Sequence, residues 1–184
     1  MSTPIQTLPI EGLLLIKPRI LEDDRGLFLE SFREEWFAAQ TEIPKFVQDN
    51  LSKSKKGVIR GLHYQLPPYA QGKLITVSYG AVVDVALDLR KDSITFGEHV
   101  AVELNDQNRC MLWIPPGFAH GFSALREDTV VHYKCTAYYN KESERGIRAD
   151  DPDLRIKWGV EAPIFSERDR QNPSLKQIPQ NDLF

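Results

Sequence analysis

The sequence predicts an all-β fold, a jelly-roll β-barrel with a few short helices, on two observations. Short runs rich in β-branched and aromatic residues succeed one another through the middle of the chain: Leu74–Tyr79, Ala81–Leu89, His99–Leu104, Cys110–Ile114 and Thr129–Tyr139. Between them lie Gly80, Lys91-Asp92-Ser93, Asn105-Asp106 and Pro115-Pro116-Gly117, residues that turn the chain for steric reasons. Short strands at near-regular spacing suit a sandwich or closed barrel.

Helix signals are few. Ser31-Phe32-Arg33-Glu34 matches a capping box, and Phe32 and Trp36 then fall on one face, which predicts a short helix at about 32–40. Ser166-Glu167-Arg168-Asp169 has a similar start and predicts a second near 167–171. The last dozen residues, with Pro173 and Pro179 among them, show no period and read as an extended tail.

The 184 residues fit one domain, 1–184, and suffice to bury a continuous core. A net charge of −3 and a pI near 5.8 give no reason to expect nucleic-acid binding. No apolar stretch is long enough to span a bilayer, and Met1 to Leu15 lacks the basic flank and apolar run of a signal peptide. Cys110 and Cys135 each sit within an apolar strand-like run, so two buried thiols in a reducing cytoplasm are expected.

The chain has four histidines, His63, His99, His120 and His132. His63 lies in Arg60-Gly61-Leu62-His63-Tyr64-Gln65, where Gly61 removes bulk and opens the backbone to a ligand. Its readings are a satisfied structural histidine and a catalyst. His120 lies in Pro115-Pro116-Gly117-Phe118-Ala119-His120, a pattern that resembles the second motif of the cupin superfamily, whose His can be a metal ligand. The first motif is broken, because Lys73 stands where an acidic ligand belongs and a cation repels a divalent ion. No metal and no cofactor are therefore expected, and there is no Gly-x-Gly-x-x-Gly turn for a nicotinamide.

Lys73 reads either as a solvated strand end or as an electrophile that stabilises an enolate oxygen. Asp84 interrupts Val82-Val83-Asp84-Val85-Ala86-Leu87 and needs a partner, a base or solvent, if buried. Alternation puts Tyr133, Cys135, Ala137 and Tyr139 on one face, either a pocket wall or aromatics filling a barrel.

These blocks, in this order, resemble the dTDP-4-dehydrorhamnose 3,5-epimerase family of the cupin superfamily. The likeness runs from Asp24-Arg25-Gly26 and Glu30-Ser31-Phe32 through Gln48-Asp49-Asn50, Arg60–Gln65 and Gln71-Gly72-Lys73-Leu74. It continues through Asp84–Arg90, Leu112–Phe122, Tyr133–Tyr139 and Glu144-Arg145-Gly146-Ile147 to Ser166-Glu167-Arg168-Asp169. No single block is specific; their shared order and spacing are.

The resemblance implies epimerisation of a dTDP-linked 4-keto-6-deoxyhexose at C3 and C5. His63 corresponds to the general base, Asp169 to the carboxylate that orients the imidazole and favours its charged form, Lys73 to the enolate-stabilising cation and Tyr133 to the acid on the opposite face. Arg25, Arg60 and Arg168 match positions that contact the nucleotide or its diphosphate, with Arg168 replacing the usual Lys. Glu30, Gln48, Asn50, His120 and Glu144 match polar substrate contacts, and Tyr139 an aromatic that stacks on thymine. Arg25 and Glu30, placed on a strand ahead of the first helix, would reach a neighbour's site through an exchanged N-terminal segment, so a homodimer is expected.

Strict alternation sets Arg60 and His63 on opposite faces, a conflict that a bulge at Gly61 or a place for Arg60 at the barrel mouth would remove. Thr76 and Ala149 depart from the family pattern, where Arg and an aromatic are common, and leave open a single-carbon epimerase. A metal-dependent cupin and a non-catalytic sugar-nucleotide-binding module are the remaining alternatives.

Overall fold

A computed structural model describes residues 5–37 and 44–184. Thirteen strands run in chain order: β1 (Ile5–Thr7), β2 (Leu14–Ile16), β3 (Ile20–Asp23), β4 (Gly26–Leu29), β5 (Gln48–Ser54), β6 (Ile59–Gln65), β7 (Lys73–Tyr79), β8 (Ala81–Asp88), β9 (His99–Asn105), β10 (Met111–Ile114), β11 (Phe118–Ala124), β12 (Thr129–Cys135) and β13 (Glu144–Gly146). A six-stranded sheet has the order β1-β2-β10-β7-β12-β5, a five-stranded sheet the order β13-β6-β11-β8-β9, and β3 and β4 form a separate hairpin. All ladder pairings are antiparallel, which is the jelly-roll architecture the sequence predicts.

The two large sheets face each other over a core of Ile75, Val77, Leu112 and Val131 on one side and Val82, Ala86, Leu104, Phe118 and Phe122 on the other. Their outer faces are covered as well. Leu62, Tyr64, Val85, Leu87 and Ala119 pack under Ile147, Leu154, Trp158, Ile178 and Leu183. Leu14, Ile16, Leu74, Met111 and Trp113 pack under Trp36 and Phe37. Coverage on both faces explains why β8, β10 and β11 are buried along nearly their whole length rather than at alternate residues.

Three sequence expectations need correction. The helix expected at about 32–40 is a 3-10 turn over Glu34–Phe37, and residues 38–40 lie outside the described residues. Phe32 and Trp36 do meet edge to face, with centroids 6.3 Å apart, but a single tight turn is enough to bring them together. The last dozen residues are not simply an extended tail, since 3-10 turns at Leu175–Gln177 and Gln180–Asp182 fold them onto the five-stranded sheet. The Tyr64 hydroxyl donates to the Asp182 carbonyl at 2.9 Å, and Phe184 exchanges backbone bonds with Leu89 and Lys91. Arg25 sits in the turn between β3 and β4 and Glu30 just past β4, so neither lies within a strand.

The conflict between Arg60 and His63 is settled by a bulge. His120 pairs with His63, yet two residues on, Phe122 pairs with Arg60, so β6 spends three residues where β11 spends two. Gly61 makes this fit, with φ near +122° and Gly121 pressed against it. An added Cβ there would lie 2.5 Å from Gly121 Cα and 2.7 Å from the His120 carbonyl oxygen, both backbone atoms. Gly61→Ala is therefore expected to destabilise the fold by about 3 kcal/mol or more. Differential scanning should show the midpoint falling by roughly 6–12 °C. A midpoint unchanged within roughly 2 °C would mean that the bulge repacks freely.

No helix among the described residues is long and apolar enough to cross a membrane. Cys110 and Cys135 are both buried and free.

Candidate active site

A cavity opens between the two sheets, and each sheet contributes one wall. From the five-stranded sheet come Arg60 and His63 on β6 and His120 and Phe122 on β11; from the six-stranded sheet come Ser52 on β5, Lys73 on β7 and Tyr133 on β12. The short helix α1 (Glu167–Arg170) adds Arg168 and Asp169. This compartment holds about 320 Å³, and a second of about 360 Å³ adjoins it and shares His63, Lys73 and Tyr133. Gln48, Asn50, Tyr139 and Glu144 line the second. Both are within the size range of small-molecule sites.

Strand period places the inward groups. On β12, Val131 and Cys135 are buried on the same face as Tyr133, while Lys134 on the other face pairs with Asp49. On β6, the bulge lets both Arg60 and His63 reach the cavity. Asp169 is set by its helix start, where the Ser166 hydroxyl accepts from the Asp169 amide at 3.1 Å.

His63 and Asp169 form a close pair. His63 Nε2 lies 2.6 Å from Asp169 Oδ1, with Asp169 only 6% exposed. Burial pushes the Asp169 carboxyl up, but the His63 and Ser166 hydrogen bonds and the nearby Arg168 charge outweigh it, and the net shift is downward. Asp169 is thus a carboxylate throughout the neutral range. With Nε2–H donating to it, the imidazole lone pair resides on Nδ1, where it can accept a proton.

A second histidine–carboxylate pair stands beside the first. His120 Nε2 lies 3.0 and 3.1 Å from the two oxygens of Asp84, both residues being buried. Asp84, the charge that interrupts an apolar strand, therefore has the base partner its sequence context requires. Burial pushes the His120 pKa down, and the Asp84 charge and hydrogen bond only partly offset this. A neutral His120 donates Nε2–H to Asp84 and keeps its other nitrogen as an acceptor.

Lys73 opens β7 half-buried, its Nζ 3.5 Å from the His63 carbonyl oxygen. Burial pulls its pKa down, against the smaller opposing influence of Cys135, Asp84 and Glu144. Tyr133 is shifted the other way, because burial disfavours the phenolate and raises its pKa. The phenol therefore stays protonated and available as a donor.

At the rim the Tyr139 hydroxyl donates to Glu144 at 2.7 Å, and Arg168 pairs with the same carboxylate oxygen. Gln48 accepts from the Tyr139 amide at 2.9 Å and donates to Asn50 at 3.0 Å. Arg60 is held by the Ser54 hydroxyl at 3.0 Å. Two guanidinium groups, Arg60 and Arg168, thus flank the compartment that holds the imidazoles.

Eleven of the thirteen residues singled out in the sequence line one compartment or both. Arg25 and Glu30 do not; they are tied to the hairpin region by Asp23 and Arg33. Thr76 lies on the face of β7 opposite Lys73, and Ala149 is buried in the outer cluster, so neither departure from the family pattern touches the cavity. Sequence reasoning missed Ser52, a small polar residue in a polar strand with no pattern to mark it. Among the described residues no group of three or more His, Cys, Asp or Glu side chains is placed to hold a metal.

Known proteins resemble this chain in sequence and in fold. The family model described as dTDP-4-dehydrorhamnose 3,5-epimerase matches residues 7–177. A protein of that name from Sinorhizobium fredii is 47% identical, with 95% of this chain and 90% of the relative covered. One from Escherichia coli is 48% identical, with 92% of each covered. The crystal structure of an epimerase from Legionella pneumophila in complex with dTDP-4-keto-L-rhamnose superposes with a TM-score of 0.94 at 43% identity, covering 99% of this chain and 97% of that one. A 3'-monoepimerase from Streptomyces bikiniensis in complex with dTDP-quinovose superposes at 0.87 with 33% identity, covering 92% of this chain and 86% of that one. With matches of this extent over almost its whole length, the chain belongs to the dTDP-4-dehydrorhamnose 3,5-epimerase family.

Proposed function

We propose that the cavity converts dTDP-4-dehydro-6-deoxy-D-glucose to dTDP-4-dehydro-L-rhamnose, inverting C3 and C5, as a step of dTDP-L-rhamnose biosynthesis. The observation that carries this reading is the placement of a carboxylate-held imidazole, His63, and a protonated phenol, Tyr133, on walls contributed by opposite sheets. Inversion needs such a pair, since one group on one face only returns the proton it took. His63 removes the proton alpha to the C4 ketone, Asp169 holds the resulting imidazolium, and Lys73 stabilises the enolate oxygen. Tyr133 then delivers a proton to the opposite face.

The dTDP portion runs toward the rim. Arg60 and Arg168 serve the diphosphate, Tyr139 stacks on thymine, Gln48, Asn50 and Glu144 supply polar contacts, and His120 touches the sugar. Incubation with dTDP-4-dehydro-6-deoxy-D-glucose in deuterated water tests the whole reading. NMR is expected to show deuterium and inversion at both C3 and C5. The resemblance to a 3'-monoepimerase supports a second reading, in which one carbon alone is inverted; deuterium confined to C3 would establish it.

The reading also includes a homodimer. The β3–β4 hairpin projects with Leu21, Leu27 and Phe28 exposed, Phe28 to 66%, an apolar surface that suits insertion against a second copy. Arg25 at its tip and Glu30 at its base then complete the neighbour's site, and sedimentation is expected to give twice the chain mass. The two free buried thiols fit a cytoplasmic location.

A further inference from the structure

His63 and Asp169 stand 106 residues apart in the chain, on β6 and α1, and meet at 2.6 Å. Helix α1 is a single turn of four residues, so its own hydrogen bonds do not fix its distance from β6. What fixes it lies behind the pair. On the β6 side, Gly146 of β13 pairs with His63, and Ile147 exchanges both backbone hydrogen bonds with Leu62. On the α1 side, the Asn172 amide donates to the Asp169 carbonyl at 3.4 Å. The Pro173 carbonyl then accepts from the Arg148 amide at 2.9 Å, which returns the chain to the residues after β13.

The two sides touch at Gly146 and Asn172. A Cβ added to Gly146 would lie 2.6 Å from Asn172 Cγ and 2.7 Å from its Oδ1, with Nδ2 nearer still. The carboxamide therefore rests directly on the glycine Cα. Gly146 does not adopt the left-handed φ that favours glycine, so it supplies room and not conformation. The carboxamide holds this seat against its own polarity, because Asn172 Nδ2 is buried without a hydrogen-bond partner. A buried donor lacking an acceptor is unfavourable, so the contact is kept although it lowers stability.

We propose that Gly146 and Asn172 are positioning residues for proton abstraction, their contact setting the distance at which Asp169 meets the His63 imidazole. The chain of contacts is continuous, from His63 through the ladder to Gly146, through packing to Asn172, and through one turn to Asp169. A methyl group at position 146 pushes α1 away from β6, and a smaller side chain at position 172 leaves α1 without its stop. The inference rests on the reading of His63 as the base and Asp169 as its partner.

Gly146→Ala, Asn172→Ala and the double variant test this, with two measurements on each. One is solvent deuterium uptake by dTDP-4-dehydro-6-deoxy-D-glucose. The other is the His63 imidazole N–H proton resonance in 15N-histidine protein, which lies far downfield when its bond to a carboxylate is short and is assigned by its loss in His63→Asn. Gly146→Ala is expected to slow uptake by about 10–10²-fold and to move the resonance upfield, as for a small displacement of a reacting group. Asn172→Ala alone is expected to slow uptake by about 3–10-fold and move the resonance the same way, without lowering the thermal midpoint. Combined, the two should compensate, because truncation at 172 deletes all three atoms that the new methyl meets. Uptake in the double variant should return to within roughly threefold of wild type. Should Gly146→Ala not fold, Asn172→Ala decides alone, and wild-type uptake and resonance there would overturn the inference. A resonance that stays in place while uptake falls, or a double variant no better than Gly146→Ala, would overturn it too. A wild type that takes up no deuterium overturns the reading of His63 as the base, and the inference with it.

Discussion

Replacing His63 by asparagine is expected to lower turnover of dTDP-4-dehydro-6-deoxy-D-glucose by about 10²–10⁴-fold or more, and to abolish solvent deuterium uptake at both C3 and C5. Both steps start by removing a proton alpha to the same ketone, so one base serves two carbons and its loss silences both. Asparagine is the informative replacement. Its amide overlays the imidazole Nδ1, not the Nε2 that meets Asp169 at 2.6 Å, and an amide nitrogen there cannot take a proton. The base is removed while a polar side chain stays in its place. His120 is the weaker base of the two sites, because it is buried and burial holds its pKa down. Deuterium entering C3 or C5 in His63→Asn at more than roughly one-tenth of the wild-type rate would place the base elsewhere.

The sequence showed the reactive groups more clearly than it showed their arrangement. Histidine and lysine are conspicuous in apolar strands, and Asp84 inside β8 demanded a partner on energetic grounds alone. That the partner is His120, which pairs with His63 on one side and with Ala86, two residues from Asp84, on the other, depends on ladder register, which no local pattern encodes. The bulge that turns Arg60 and His63 into the same cavity was foreshadowed only by Gly61, whose need became visible once Gly121 was seen against it. The C-terminal segment was illegible for a different reason. Ile178, Leu183 and Phe184 follow no period because they fill the outer face of a sheet made elsewhere in the chain, so their spacing reflects that surface and not a helix or strand of their own. The first helix failed because Phe32 and Trp36 gain their contact from one tight turn, after which Phe37 and Phe46 pack on Trp113. Ser52 left no signal at all, since its place on the cavity wall follows from strand pairing alone.

Tyr133→Phe is expected to separate proton removal from inversion. The ring remains on its wall and only the hydroxyl is lost. The hydrogen bonds that hold that wall, Asn50 to Cys135 and Gln48 to Tyr139, do not pass through it. His63, on the opposite sheet, keeps its Asp169 partner and can still form the enolate beside Lys73. The proton then has one way back, from the face that released it. Deuterium should therefore appear with retained configuration at C3, C5 or both, at a rate within roughly tenfold of wild type, while inversion falls by about 10²-fold or more. The phenol is protonated in the neutral range, burial only raising its pKa further, and phenylalanine has nothing to donate. NMR of the recovered sugar in deuterated water measures both quantities in one sample. If exchange vanished as completely as in His63→Asn, the two groups would not be a separate base and acid. If inversion at C5 persisted at the wild-type rate, the donor at that carbon would be another group, and Tyr133 would serve C3 alone.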